Sequence, residues 1–382
     1  MIVSKVRLRN WRNFRDAEVR LGDRAFLVGP NASGKSNFLD VFRFLQDIAK
    51  AGGGLQSAVR KRGGLSRIRS LAARREPDVE IRVELSESPE SSAIWVYEIG
   101  IKQEPRGFRQ PYLTYERVSK DGDELLSRPD DEDQRDRLRL TQTHLEQINA
   151  NERFREVAQF FQAVLYLHLI PQLLRHPEQF KGGESHDDPF GRRFLERITQ
   201  APQRTRQSRL KKVEDALRLA VPQLKNLAHT TDELGVPHLE VIYEHWRPNA
   251  GKQREDQFSD GTLRLIALLW VLLEGDSLLL LEEPELSLHS AIVSKLPGVM
   301  NRIQGKRHRQ ILISTHSADL LSDPGIGGEE TLVLVPQSEG TAIKLASEDQ
   351  EIRSLLEGGF TIAEAALPKT TPQRVQQLAM FE

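Results

Sequence analysis

The sequence predicts an α/β protein with a mixed central sheet, an antiparallel β-meander and a helical insertion. Three observations lead there. The last third alternates apolar strand-like runs (278–281, ILIST, TLVLV) with helical stretches, the rhythm of a parallel sheet. DVEIRVEL sets Val79, Ile81, Val83 and Leu85 in strict alternation, the mark of a half-buried strand. GPNASGKS, residues 29 to 36, stands between a short apolar run and an amphipathic stretch.

Taken in order, the chain opens on a strand that mixes Val3, Val6 and Leu8 with polar neighbours. AFLVG, residues 25–29, is a buried strand ending in glycine. From Ser36 to Ala49, the positions of Phe38, Phe42, Leu45 and Ile48 predict a helix. The Gly- and Arg-rich stretch from Ala51 to Arg75 reads as a loop. IWVYEIGI and YLTYERV extend DVEIRVEL into a meander over about 78–118. SRPDDEDQRD reads as a solvated charged turn, VLYLHLI as a strand before Pro171, and KGGESHDDPFG as a loop. Leu210, Val213, Leu217, Val221 and Leu224 predict an amphipathic helix, and PHLEVIYEHW a strand. LRLIALLWVLLEGDSLLLLEEPE gives a buried helix, a turn and a buried strand. A helix near 288–303 follows.

Composition narrows the function classes. A chain of 382 residues with net charge −1 gives no bulk sign of nucleic acid or membrane as partner. The absence of cysteine excludes disulfides and Cys-ligated zinc. The N-terminus has charges every few residues and no apolar core of a signal peptide. Arg264, Glu274, Gly275 and Asp276 break the most apolar stretch into pieces too short for a bilayer. A cytoplasmic protein with no membrane partner is expected.

The chemistry concentrates at three places. GPNASGKS matches G-x-x-x-x-G-K-S/T in full. In that motif glycines let the backbone N–H groups wrap phosphate oxygens, and the next helix aims its positive end at the anion. The candidate nucleotide-binding residues are therefore Gly29, Pro30, Asn31, Ala32, Ser33, Gly34, Lys35, Ser36 and Asn37. Lys35 would reach the β- and γ-phosphates, and the Ser36 hydroxyl would ligate Mg²⁺. LLLLEEPELSLH ends an apolar strand on two acids. Glu282 would hold Mg²⁺ and Glu283 would deprotonate the attacking water. ILISTHSADLL puts His316 at the end of another apolar strand, within reach of a γ-phosphate. The cofactors expected are ATP and Mg²⁺.

With these residues assembled, the sequence resembles the ABC-type ATPase heads of the RecF, SMC and OLD group. It is most like their stand-alone bacterial AAA-type "predicted ATPase" relatives. GPNASGKS is similar to the family's Walker A, LLLLEEPE to Walker B, FSDGT to the signature, ELSLH to the D-loop and STHS to the switch-histidine loop. NWRNF resembles the family's early Arg/Asn turn, which brings Arg12 or Asn13 to the nucleotide by resemblance. The resemblance implies the P-loop NTPase fold of ABC-ATPase type. Its parts would be lobe I over 1–175, a helical insertion or lid over 176–235, and lobe II over 236–382. It also implies that Ser259 and Gly261 of the signature cap the γ-phosphate held by a second protomer, in an ATP-sandwiched homodimer. Ser259 or Asp260 is equally an ordinary helix N-cap, and the two readings are compatible. The sequence departs from the family at Glu282, where many relatives have Asp, and at Asp260 and Thr262 in the signature. Gln103 is a weak candidate for the Q-loop glutamine and is not assigned.

Two functions are compatible with this pattern. One is an ATPase that dimerises on ATP and couples the cycle to DNA, or to a companion effector such as a nuclease, in DNA maintenance or anti-phage defence. The other is a slowly hydrolysing scaffold or sensor. Arg60, Lys61, Arg62, Arg67, Arg69, Arg74 and Arg75, and RTRQSRLKK at 204–212, are candidate DNA-backbone contacts or simply solvated faces. An intrinsic nuclease is disfavoured. Few residues follow His316, and Glu184, His186, Asp187 and Asp188 lack metal-ligand spacing.

Overall fold

The computed structural model describes residues 1–73, 77–105, 107–176, 188–244 and 251–371. It divides into two compact units. The first is Met1–Leu165, Ser277–Leu280 and His308–Glu382; the second is Tyr166–Asp276 and Leu281–Arg307. The early strands are β1 (Ile2–Trp11), β2 (Phe14–Arg20), β3 (Arg24–Val28), β4 (Val79–Ser86), β5 (Trp95–Gln103), β6 (Pro111–Lys120) and β7 (Asp123–Arg128). Those after them are β8 (Leu165–Leu167), β9 (Leu224–Thr231), β10 (Pro237–Tyr243), β11 (Lys252–Arg254), β12 (Leu279–Glu282), β13 (Ile311–Thr315), β14 (Thr331–Gln337) and β15 (Gly340–Leu345).

In the first unit an antiparallel sheet runs β2-β1-β4-β5-β6-β7. The alternation read in β4 is the cause of its placement. Val79, Ile81, Val83 and Leu85 are buried, and β4 pairs with β1 through Val6↔Val83 and with β5 through Val83↔Tyr97. The meander expected at 78–118 is present and gains β1 and β2 on one side and β7 on the other. The other sheet is mixed and runs β15-β14-β3-β13-β12-β8. β3 is buried along its whole length and lies parallel to both β13 and β14, while β15 is antiparallel to β14. Burial on both faces explains why AFLV is continuous rather than alternating. Within this unit Leu279 N donates to Gln310 O, and Leu165 N to Leu278 O.

Two expectations for this unit are corrected. The stretch after Ala51 is not a loop; it carries the helices Leu55–Lys61 and Leu65–Ile68, which bury Leu55, Ala58, Val59, Leu65 and Ile68. The glycines that suggested a loop are the N-caps, Gly54 and Gly64. Arg62 is no surface cation. Its side chain is 6 % exposed, donates to Asp40 (2.8 Å) and Asp47 (2.9 Å), and lies over the Phe44 ring. Burial alone would lift the Asp47 carboxyl, but Lys50, Lys61 and Arg62 hold it well below the usual range. Arg74 and Arg75 lie outside the described residues. SRPDDEDQRD is not a solvated turn either. Arg128 is buried between Glu116 (3.1 Å) and Asp133 (2.7 Å), and Asp130 and Asp133 form the capping box of the helix Asp131–Arg135.

The second unit holds a three-stranded antiparallel sheet, β11-β10-β9. Its helix Gln203–Ala220 buries Leu210, Val213 and Leu217, whereas Leu224, expected to continue it, begins β9. The helix Asp260–Leu272 is buried from Thr262 to Leu272, as an all-round apolar helix must be. The helix expected near 288–303 is two helices, Ser290–Val293 and Leu296–Arg307. Most of KGGESHDDPFG, including Glu184, His186 and Asp187, and the last residues of PHLEVIYEHW lie outside the described residues. Among the described residues no group of His, Asp or Glu could hold a metal, and no helix is long and apolar enough to cross a membrane.

Candidate active site

In the first unit GPNASGKS joins β3 to the helix Lys35–Ala49. Gly34 is the N-cap of that helix, in the left-handed region at φ 102°, and no side chain caps the helix there. The first-turn amides are thus directed at the loop rather than at a capping oxygen, the arrangement that receives an anion. Asn31, Ala32 and Ser36 are exposed at its rim, and Ser33 and Lys35 are buried. The Lys35 ammonium donates to Gly29 O (3.0 Å) and Pro30 O (3.1 Å), so it crosses the loop. Ser33 Oγ is buried with no partner among the described residues. A loop with a helix start that no side chain caps, a lysine and an orphan hydroxyl suits a phosphate chain.

Asn13, not Arg12, organises this loop. Its side-chain amide donates to Ser33 O (2.7 Å) and Thr341 Oγ1 (2.8 Å), and its Oδ1 accepts from Asn37 (2.8 Å). Asn13 O also accepts from Thr341 N (2.7 Å). Arg12 donates instead to Asp40 (2.7 Å), one turn along the helix that follows the loop. The NWRNF turn is therefore coupled to the loop through its asparagine. Gln103 ends β5 and donates to Arg109 O.

His316 follows β13, whose Thr315 is the register partner of Val28. His316 and Gly29 are thus the next residues beyond one register pair of parallel strands. Ser317 fixes the turn. Its hydroxyl caps Leu320 N (3.2 Å) and its amide donates to Thr315 Oγ1 (3.0 Å).

The second unit carries the acidic strand end and the signature. Glu282 accepts a hydrogen bond from the Tyr166 phenol, and its carbonyl O lies 3.3 Å from His168 Nδ1. Glu283 has φ 45°, in the left-handed region, immediately before Pro284. Ser259 is the N-cap of the helix Asp260–Leu272 and accepts from Thr262 N (3.1 Å). The capping reading of FSDGT therefore holds. Gly261 answers to a close approach: a Cβ there would lie 2.6 Å from Ser287 O in the ELSLH turn. Signature and D-loop residues are thereby packed backbone to backbone. Arg175 donates to Phe258 O (2.7 Å) and Asp260 (2.7 Å), and Gln172 donates to Asp260 (3.3 Å). Arg264, on the same helix, is buried; burial lowers its proton affinity, against the pull of Asp260, Glu283 and Glu285. Sequence reading missed Tyr166, Gln172, Arg175 and Arg264. VLYLHLIPQLLR was the only signal for the first three: polar residues inside an apolar run on either side of Pro171. The basic helix Gln203–Ala220 uses part of its charge internally. Arg206 donates to Thr199 O, Arg209 lies over Trp270, and Lys211 pairs with Glu214.

Gly34→Ala is expected to weaken ATP binding by about tenfold or more and to lower stability by roughly 1–3 kcal/mol. An added Cβ would stand 2.1 Å from Asn13 Nδ2, so the brace must move as well as the backbone. Gly52→Ala is the control, since it has φ 70° but nothing within 4 Å. It should lose stability and keep ATP affinity. Calorimetric ATP titration of both variants decides, and wild-type affinity in Gly34→Ala would remove the loop from the binding site.

No curated protein matches the sequence. Among solved structures, an SMC head bound to the C-winged helix domain of ScpA has TM-score 0.55 at 13 % identity, covering 90 % of this chain and 98 % of that one. The SMC head domain from Thermotoga maritima has TM-score 0.48 at 14 % identity, covering 90 % and 99 %. An Smc head with an extended coiled coil, bound to the C-terminal domain of ScpA and derived from Pyrococcus furiosus, has TM-score 0.48 at 13 % identity, covering 94 % and 99 %. The first likeness shows the fold, that of an ABC-type ATPase head of the SMC kind. A family model described as "AAA domain, putative AbiEii toxin, Type IV TA system" matches residues 24–323, well over half of the chain, and the chain belongs to that family.

Proposed function

We propose that the protein binds and hydrolyses ATP, dimerises on it, and couples that cycle to DNA engagement or to control of a partner effector. The observation that carries the reading is the phosphate loop: an uncapped helix start at a left-handed Gly34, braced by Asn13. Gly29 to Asn37 would cradle the phosphates, with Lys35 on the β- and γ-phosphates. Ser36 and Glu282 would hold Mg²⁺, which when bound neutralises charge on the phosphate oxygens. Glu283 would take the proton of the attacking water, and His316 would donate to the γ-phosphate. Ser259 and the Gly261 N–H would cap the nucleotide of a second copy of the chain, as the SMC-like fold supports. The domain reading goes with this: lobe I over 1–175 with the phosphate loop and β-meander, a helical insertion or lid over 176–235, and lobe II over 236–382 with the signature, the acidic strand end and His316.

The dimer has a direct test. Glu283→Gln with ATP is expected to elute as a dimer in light-scattering chromatography. Adding Ser259→Arg or Lys35→Ala should return it to monomer, because one disables the cap and the other the loop. A mass that ignores nucleotide in all three proteins would end the sandwich reading.

A further inference from the structure

The segment that follows β8 has no role in the motifs, yet it touches the acidic strand end and the signature turn. Tyr166 is buried at 9 % exposure, and its phenol donates to Glu282 Oε2. Two residues on, His168 Nδ1 faces the carbonyl of the same glutamate, so Nδ1 carries the proton. The His168 and Phe190 rings meet edge to face, with centroids 6.3 Å apart. The helix Pro171–Arg175 then holds Phe258 and Asp260.

Glu282 needs such support for a reason visible in the sequence. A glutamate has one more rotatable bond than an aspartate, so its carboxylate loses more freedom when it is fixed on a metal. A donor that already fixes the carboxylate removes that freedom before the metal arrives. A phenol is well matched to this, because it gives a single charge-assisted hydrogen bond, occupies one oxygen, and adds no charge to compete with a cation.

We propose that Tyr166 is a positioning residue for Mg²⁺, fixing the Glu282 carboxylate while His168 fixes the backbone of the same residue. The inference rests on the proposed role of Glu282. Tyr166 orients the carboxylate through Oε2. It would act on metal affinity and leave the binding of metal-free nucleotide alone.

The test reads metal rather than turnover first. Mn²⁺ binding is titrated by paramagnetic resonance in the presence of a non-hydrolysable ATP analogue. Tyr166→Phe is expected to bind Mn²⁺ about tenfold more weakly than wild type, with analogue affinity in chelator unchanged. In steady state the Mg²⁺ concentration for half-maximal ATPase should rise by the same factor, and kcat at saturating Mg²⁺ should hold. A merely structural tyrosine would lower melting temperature and analogue affinity together, which would overturn the inference. A second measurement leaves the chain unmutated. The sequence has five tyrosines, so labelling at Cζ gives five carbon resonances. Adding Mg²⁺ to the analogue complex should shift one of them beyond the shift from analogue alone, and no metal-dependent shift overturns the inference. Glu282→Gln separates the two levels. If it abolishes tight Mn²⁺ binding while Tyr166→Phe matches wild type, only the positioning role fails. If Glu282→Gln binds Mn²⁺ like wild type, the metal role of Glu282 fails and the inference falls with it.

Discussion

Glu283→Gln is expected to lower steady-state ATP turnover by about 10²–10⁴-fold while ATP binding is retained. The exchange keeps the size and shape of the side chain and removes the proton acceptor. Its backbone supports the choice of residue. Glu283 takes φ 45°, which costs an L-residue about 1–2 kcal/mol, and the proline after it narrows its choices further. Strain of this kind persists where the surroundings over-determine it, and it clusters at functional sites. Arg264, on the signature helix, is buried and lies near enough to interact electrostatically with Glu283. Single-turnover and steady-state assays on purified protein decide the matter. Turnover equal to wild type would exclude Glu283 as the base and favour a scaffold that barely hydrolyses.

Arg128→Ala is expected to destabilise the first unit by about 3–5 kcal/mol. Its melting transition should fall by roughly 6–20 °C. The arginine is bidentate to Asp133 (2.8 and 2.7 Å), donates to Glu116, and satisfies the carbonyls of Arg139 and Gln142. Burial alone would lift the Asp133 carboxyl, but Arg128 and the Asp130 amide pull it down to about 2. Glu116 goes the other way. Burial raises it above its ordinary 4.5 despite Arg128 and the amides of His144 and Leu145. Without Arg128 that upward pull grows, and the folded protein holds a proton on Glu116 that the unfolded chain releases. A folded-state value above the unfolded one gives stability that is full below about 4.5 and is lost as pH rises. The deficit of Arg128→Ala should therefore be larger at pH 8 than at pH 5. Arg128→Met with Glu116→Gln should recover part of it, since one of the two stranded carboxylates is neutralised and the side-chain oxygen still accepts. A melting temperature within a degree of wild type at both pH values would show that the cluster does not hold the 111–151 region.

The sheets were legible in the sequence because burial imprints a period. β4 alternates, β3 and β13 carry apolar runs and are buried throughout, and each pattern follows from how many faces are covered. The phosphate loop was legible because close backbone approach requires glycine. What escaped was charge turned inward. Arg62 and Arg128 look on paper like any surface arginine, and only the arrangement of Asp40, Asp47, Glu116 and Asp133 around them makes them internal. The same limit hid Tyr166 and Arg175, whose partners are 116 and 85 residues away in the chain. Arg12 and Asn13 are adjacent, and no spacing rule distinguishes the residue that braces the loop from the one that pairs with Asp40.

The strand that carries the phosphate loop has a further consequence for how the chain is made. β3 spans Arg24–Val28 and is buried throughout, yet its neighbours are Ile311–Thr315 and residues 331–333. Asn13, on the turn before it, likewise waits for Thr341. At about 5–20 residues per second, a ribosome needs roughly 15–60 s to deliver those partners. Throughout that interval RAFLV lacks the strands it pairs with in the folded chain. The antiparallel sheet of β1, β2 and β4 to β7 is complete by Arg128 and can fold early. Nucleotide competence thus waits for strands translated long after its motif.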